Sequence, residues 1–174
     1  SGKTTLAKFL ADQLKLKYYG GGDALKQIAA EKGLTVSGDD WWDTAKGLEF
    51  LNIREKNSDF DKEVDKKLIS FANSGNVVIS SYTLPWLFNG GMKFWLGASQ
   101  KVRAERMANR DSIPFEESIR VTKIRDEKNE SLYKALYGVA FGSDLSVFDF
   151  SISTDNLSRE GLFDIATTIV RNSK

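Results

Sequence analysis

The 174-residue sequence is the size of one ordinary domain, and 41% hydrophobic with 28% charged residues is the composition of a soluble globular chain able to bury a core. Lys and Arg (25) balance Asp and Glu (24), so no global excess of positive charge is available for nucleic acid or an anionic membrane. The absence of Cys and His excludes thiol catalysis, disulfides, histidine acid–base chemistry and the usual zinc sets, leaving oxygen-ligated Mg²⁺ and phosphate chemistry.

The first five residues, Ser1-Gly2-Lys3-Thr4-Thr5, read as the second half of a phosphate-binding loop, G-x-x-x-x-G-K-[ST], running into a helix. Consecutive backbone N–H groups and a helix N-terminus cradle phosphate oxygens, Lys3 places a point charge on the β/γ-phosphates and the Thr4 hydroxyl ligates Mg²⁺. An ATP site with Mg²⁺ is therefore expected, against a chance Gly-Lys-Thr at a helix start. The strand that feeds such a loop is expected roughly ten residues upstream, in a segment not present in the sequence. Leu6, Phe9, Leu10 and Leu14 carry a helical spacing over 4–15, and a short strand follows at 16–19.

Gly20-Gly21-Gly22-Asp23 turns into a second helix with Leu25, Ile28 and Ala29 inward and Gly33 at its end. The glycines permit close approach of a ligand at the carboxyl end of a strand; the alternative is a plain turn with Asp23 as N-cap. The segment 37–56, with Trp41 and Trp42 either packing it or lining a cleft, reads as a helical hairpin arm. A helix over 59–73 places Phe60, Val64, Leu68 and Phe71 on one face, with Asp61, Lys62, Asp65 and Lys66 elsewhere, mostly as a solvated face. Val77 to Ser80 is a continuous β-branched run of the kind buried in a parallel sheet, and a second buried strand is expected over 93–97.

Arg103, Arg106 and Arg110 then fall at i, i+3 and i+7 on one helical face, and a helix over 115–137 adds Arg120, Lys123 and Arg125. Such an array suits a lid closing over transferring phosphates, because Arg stays charged and binds phosphate oxygens bidentately. The alternative is pairing with Glu105, Glu116 and Glu117 on an exposed hairpin. A last strand over 148–153 and a helix capped by Ser158 complete an alternation of strands and helices, the pattern of a parallel α/β sheet covered on both faces. One domain is expected, with core segments 1–36, 74–100 and 144–174, a monophosphate-binding arm at about 37–73 and a lid at about 101–143.

The order of these pieces resembles the cytidylate kinases, especially the short archaeal type among the nucleoside monophosphate kinases. The likeness rests on Gly22-Asp23-Ala24-Leu25-Lys26, Asp61-Lys62-Glu63-Val64-Asp65-Lys66-Lys67, Gly75-Asn76-Val77-Val78, Val102-Arg103-Ala104-Glu105-Arg106, and the run from Tyr133 to Asp149. It implies a P-loop NTPase fold and transfer of the ATP γ-phosphoryl group to CMP or dCMP, with Mg²⁺, in a cytoplasmic monomer with no membrane or nucleic-acid partner. In the ATP site it implies Ser1, Gly2, Lys3, Thr4, Thr5 and Arg103, with Thr4 on the metal. On the acceptor side it implies Asp23, Lys26, Asp61, Asp65, Tyr82 and Trp86, and in transfer Lys3, Arg106, Arg110 and Arg125. Two departures stand out. Tyr82 occupies the place where the family carries an arginine that holds the acceptor phosphate, and a further arginine expected soon after Arg125 is replaced by Lys128-Asn129-Glu130. The first departure leaves open a kinase of another nucleotide or small metabolite, and a nucleotide-binding module without transfer is the remaining alternative.

Overall fold

The structure, a computed structural model, describes residues 2–31, 33 and 45–173. Ser1, Trp41 and Trp42 lie outside the described residues, as does the first part of the expected arm. The described elements are α1 (Lys3–Leu14), β1 (Lys17–Gly20), α2 (Gly21–Glu31), α3 (Ala45–Lys56), α4 (Asp59–Ser74), β2 (Val77–Ser80), α5 (Leu84–Leu87), β3 (Phe94–Gly97), α6 (Gln100–Asp111), α7 (Phe115–Tyr137), β4 (Phe150–Ser153) and α8 (Arg159–Asn172).

Local chemistry explains where these elements begin and end. α1 buries Leu6, Ala7, Leu10 and Ala11 on one stripe and stops at Lys15, whose left-handed φ of 56° turns its N–H back onto the Ala11 and Asp12 carbonyls. Ser99 and Ser158 cap α6 and α8, accepting N–H bonds from Val102 and Gly161. Pro114 precedes α7, and Gly138, at φ 67°, closes it by donating to the Lys134 carbonyl. β1 passes into α2 without an intervening turn, so Asp23 sits in the first helical turn and not at an N-cap.

Both strand pairs are parallel: β1 with β2 (Lys17 opposite Val77, Gly20 opposite Ser80) and β3 with β4 (Phe94 opposite Phe150, Gly97 opposite Ser153). Among the described residues these are two separate two-stranded sheets, where the alternation of elements predicts one continuous sheet. β2 and β3 border a shared apolar slot of about 530 Å³, whose walls include Leu6, Leu10, Val78, Ile79, Phe94 and Leu96. That slot is why the run Val77–Ser80 is only half-buried.

The apolar interior divides three ways. Leu6, Leu10, Leu96, Leu162 and Ala166 join α1, α8 and β3, while Leu51, Leu132, Tyr133 and Val139 join α3 to α7 and the loop after it. The largest cluster packs α2, α3, α4 and α5 through Leu25, Ile28, Phe50, Phe60, Leu68 and Leu84. Leu68, with no exposed surface, packs where α4 crosses the head of α2; a Cβ placed on Gly21 would stand 3.3 Å from its Cδ1. Leu68→Ala removes three buried carbons from a site that cannot collapse freely and is expected to cost about 3 kcal/mol of unfolding free energy, measured by urea denaturation. A loss below about 1 kcal/mol would show that α4 is not anchored there.

Candidate functional site

The carboxyl ends of β1, β2 and β3 face the amino end of α1. Gly2 stands at φ 84°, a left-handed conformation that costs an L side chain strain, and no side chain caps the helix it starts. The first-turn N–H groups of α1 are thereby left to a ligand, and the positive end of the helix dipole faces the same way. Lys3 extends into the space in front of the sheet, its Nζ 4.3 Å from the centroid of the Tyr82 ring. A cation over an aromatic face is held there by the ring quadrupole. Tyr82, which follows the end of β2, also meets Phe141 edge-on at 5.3 Å and tilts against Tyr133 at 6.0 Å.

Two compartments open from this point. The larger, about 710 Å³, runs from Gly2 and Lys3 past Gly97 and Ala98 to Arg103 and Arg106. Arg103 is clamped bidentately by Asp126 of α7 at 2.6 and 2.7 Å and donates to the Ala98 carbonyl. Arg106 donates to the hydroxyl and carbonyl of Thr154, just past β4. Arg110 pairs with its neighbour Asp111 at 2.6 Å. Glu105, which helical spacing offers to these arginines, pairs instead with Lys101, an exposed i,i+4 pair.

The smaller compartment, about 270 Å³, lies under α3, α4 and α7, with Thr4, Gly21 and Gly22 on one side and Arg54, Asp61 and Asp65 on the other. Arg54 is 5% exposed; its Nε and Nη2 donate to the two Asp61 oxygens at 3.0 and 2.5 Å, and Nη2 also donates to the Tyr133 hydroxyl at 3.3 Å. Asp65 accepts the Thr83 hydroxyl at 2.5 Å and the Tyr137 hydroxyl at 2.6 Å. Burial pushes the Asp65 carboxyl up from its ordinary value, against the two hydroxyls, which pull it down. Burial and then the bond to Asp65 raise the Tyr137 phenol, which therefore stays a donor.

Lys3, Ser81, Tyr82, Arg110, Arg125 and Asn129 line both compartments, so these six residues stand where the two meet. Of the acceptor-side residues read from the sequence, Asp61, Asp65 and Tyr82 come together on the smaller compartment. Asp23 is exposed and accepts a 3.4 Å hydrogen bond from Tyr18, and Lys26 sits one turn further along α2. Trp86 belongs to an aromatic layer with Trp95, Phe141 and Phe148, and its buried Nε1 has no hydrogen-bond partner among the described residues. Thr5 is exposed on the first turn of α1. Sequence reasoning missed Arg54, Thr83, Asp126, Tyr133, Tyr137 and Thr154. Each works through a partner in another segment of the fold, so periodicity within one element carries no signal for them.

The sequence profile of the cytidylate kinase-like family matches residues 1–156. The chain is 36% identical over 171 residues to a cytidylate kinase of Pyrococcus horikoshii, covering 98% of this chain and 83% of that protein. It is 35% identical over 168 residues to one of Sulfurisphaera tokodaii (95% and 87%) and 32% identical over 175 residues to one of Haloarcula marismortui (99% and 85%).

The raised Asp65 carboxyl sets a pH dependence. A group that holds its proton more tightly when folded adds stability below its unfolded pKa and loses that contribution as pH rises through the folded value. The stability difference between wild type and Asp65→Asn is accordingly expected to shift against wild type as pH rises from about 4 towards neutrality. Urea midpoints of the two proteins across that range measure it, and a difference that moves the opposite way would show the carboxyl to be depressed.

Proposed function

The chain belongs to the cytidylate kinase-like family, and from that we propose that it transfers the γ-phosphoryl group of ATP to the phosphate of CMP or dCMP, giving ADP and the pyrimidine diphosphate. One observation carries the reading: two compartments of nucleotide size meet at Lys3, Arg110 and Arg125. A donor nucleotide in the larger one and an acceptor in the smaller would bring their reacting phosphates together at those three cations. Phosphoryl transfer proceeds through a loose transition state, and a monophosphate is already nucleophilic, so no general base is required. A chain without histidine suffices for it.

The residues present fit ATP and Mg²⁺. Gly2 leaves backbone room for phosphate at the uncapped end of α1, and Thr4 offers its hydroxyl beside it. Among the described residues no cluster of acidic side chains forms a metal cage, a pattern suited to Mg²⁺ held by Thr4 and nucleotide oxygens. When bound, Mg²⁺ would supply charge neutralisation to the nucleotide phosphates. Lys3 would leave the Tyr82 face for those phosphates, Arg106 and Arg110 would clamp the moving group from α6, and Arg125 would reach the acceptor phosphate from α7. Because α6 and α7 carry all of the lid arginines, their closing would exclude the water that hydrolyses ATP. Arg103, occupied by Asp126 and the Ala98 carbonyl, serves ATP binding more than transfer.

The same reading makes the fold that of a P-loop NTPase, in which a further parallel strand enters the apolar slot between β2 and β3 and joins the two strand pairs. A chain extended before Ser1 by an apolar strand and the leading half of the loop is expected to show slower amide hydrogen exchange in β2 and β3 than the 174-residue chain. Equal exchange would leave the slot without that strand. No helix among the described residues is long and apolar enough to cross a membrane.

Activity is tested by coupled ADP release with ATP and Mg²⁺ over CMP, dCMP, UMP, AMP and GMP. Lys3→Met and Arg125→Ala are expected to lower kcat by roughly 10³-fold or more with the fold intact by circular dichroism, and Arg103→Ala to act mainly on the KM for ATP. Near-normal turnover by Lys3→Met would remove the assignment.

A further inference from the structure

The half-buried Tyr18 of β1 takes no part in the phosphate chemistry described above, yet its hydroxyl lies against a residue that does. Three groups stand around the phenolic oxygen. The Asp23 carboxylate accepts its hydrogen bond at 3.4 Å, and the hydroxyls of Thr4 and Ser80 hydrogen-bond to it as well. The ring itself is held from α1, where the Lys8 ammonium sits 5.6 Å from its centroid. Space for the cluster comes from the buried Gly20: a Cβ placed there would stand 2.4 Å from both the Tyr18 hydroxyl oxygen and Asp23 Oδ2. Any side chain at that position would expel the two oxygens. A bond whose only work was to fasten β1 to α2 would add little, because the chain already runs from one into the other without a turn.

The proton count fixes the direction of these bonds. A phenol has one proton to give and a carboxylate can only accept, so the bond to Asp23 uses that proton and leaves the Tyr18 oxygen an acceptor. Thr4 and Ser80 therefore donate to it. For Thr4 this matters, because a hydroxyl that ligates a cation does so through a lone pair and has to place its proton elsewhere. In the first turn of α1 no preceding helical turn offers Thr4 a carbonyl for that purpose. Resting on the reading that ATP binds with Mg²⁺ on Thr4, we propose that Tyr18 is a positioning residue for the metal: it accepts the Thr4 hydrogen bond, donates its own to Asp23 and so keeps a Thr4 lone pair free for the cation. The negative charge at the far end of this chain strengthens both bonds.

The test is ATP affinity in Mg²⁺ and in EDTA, by titration calorimetry without acceptor, since the ratio of the two is the metal's own contribution. Wild type comes first. A ratio of about one would end the metal reading of Thr4 and this proposal together. Given a larger ratio, Tyr18→Phe, which keeps the ring under Lys8, is expected to remove most of it, roughly 10-fold, through weaker binding in Mg²⁺, while affinity in EDTA stays within about twofold. Gly20→Ala leaves Tyr18 and Thr4 in the chain and displaces only the two oxygens, so it carries the same expectation and decides alone should Tyr18→Phe not fold. In a Thr4→Val background Tyr18→Phe is expected to change the ratio no further, because its effect runs through the Thr4 hydroxyl. A merely structural role would weaken binding in Mg²⁺ and EDTA alike, or repeat its loss in the Thr4→Val background. Either result, or an unchanged ratio in the single variants, overturns the proposal.

Discussion

Parallel strands deliver all their carboxyl ends to one edge, and the rest of the architecture follows from that constraint. Ser80 and Ser81 at the end of β2 and Gly97 and Ala98 at the end of β3 arrive around the amino end of α1, while Thr154, just beyond β4, holds Arg106. The backbone amides there carry partial positive charge, and the side chains that reach the same edge from α6 and α7 are cationic. Phosphate is the ligand chemistry that satisfies such a surface. The crossovers that make parallel pairing possible supply the two covering units, α2 to α4 after β1 and α6 with α7 after β3, so the two walls of the site are by-products of strand direction.

Concentrated positive charge would destabilise an empty site, and the structure manages each cation locally. Lys3 rests on the Tyr82 ring, Arg103 on Asp126, Arg106 on Thr154 and Arg110 on Asp111. These contacts are partly exposed, and an exposed pair contributes about 0–1 kcal/mol, so a phosphate that is more strongly hydrogen-bonded can take the cation over. The Arg54–Asp61 pair differs in kind. It is fully buried, and breaking a buried pair by removing one partner costs about 3–5 kcal/mol, which makes it a fixed feature of the cavity and not a transferable one.

Much of this was legible in the sequence wherever a local period carried the signal. The span of α7, 115–137, and the strand Val77–Ser80 coincide with the sequence reading, because a 3.6-residue stripe and a β-branched run are each decided by neighbours in the chain. Gly2, Lys3 and the α6 arginines Arg103, Arg106 and Arg110, which the sequence reading groups, line one compartment. Which strands pair with which, β1 with β2 and β3 with β4, was not legible, since pairing depends on contacts between segments far apart in sequence. The charged stretch from Asp61 to Lys67 was misread in part as solvated face: Asp61 and Asp65 are buried, while Lys62 and Lys66 are exposed. Their burial is decided by Arg54, Thr83 and Tyr137, which no helical repeat connects to them.

Arg110 and Arg125 face both compartments, and shared cations have a thermodynamic consequence. On the kinase reading proposed above, whichever nucleotide enters first would draw these two side chains onto its phosphates, and the second would find them already arranged. Donor and acceptor affinities are then linked by a single coupling free energy, and linkage requires the factor by which each strengthens the other to be identical whatever the order of binding. Synergy between the substrates is thus a property of where two helices place two guanidinium groups, with no change in the fold required to produce it.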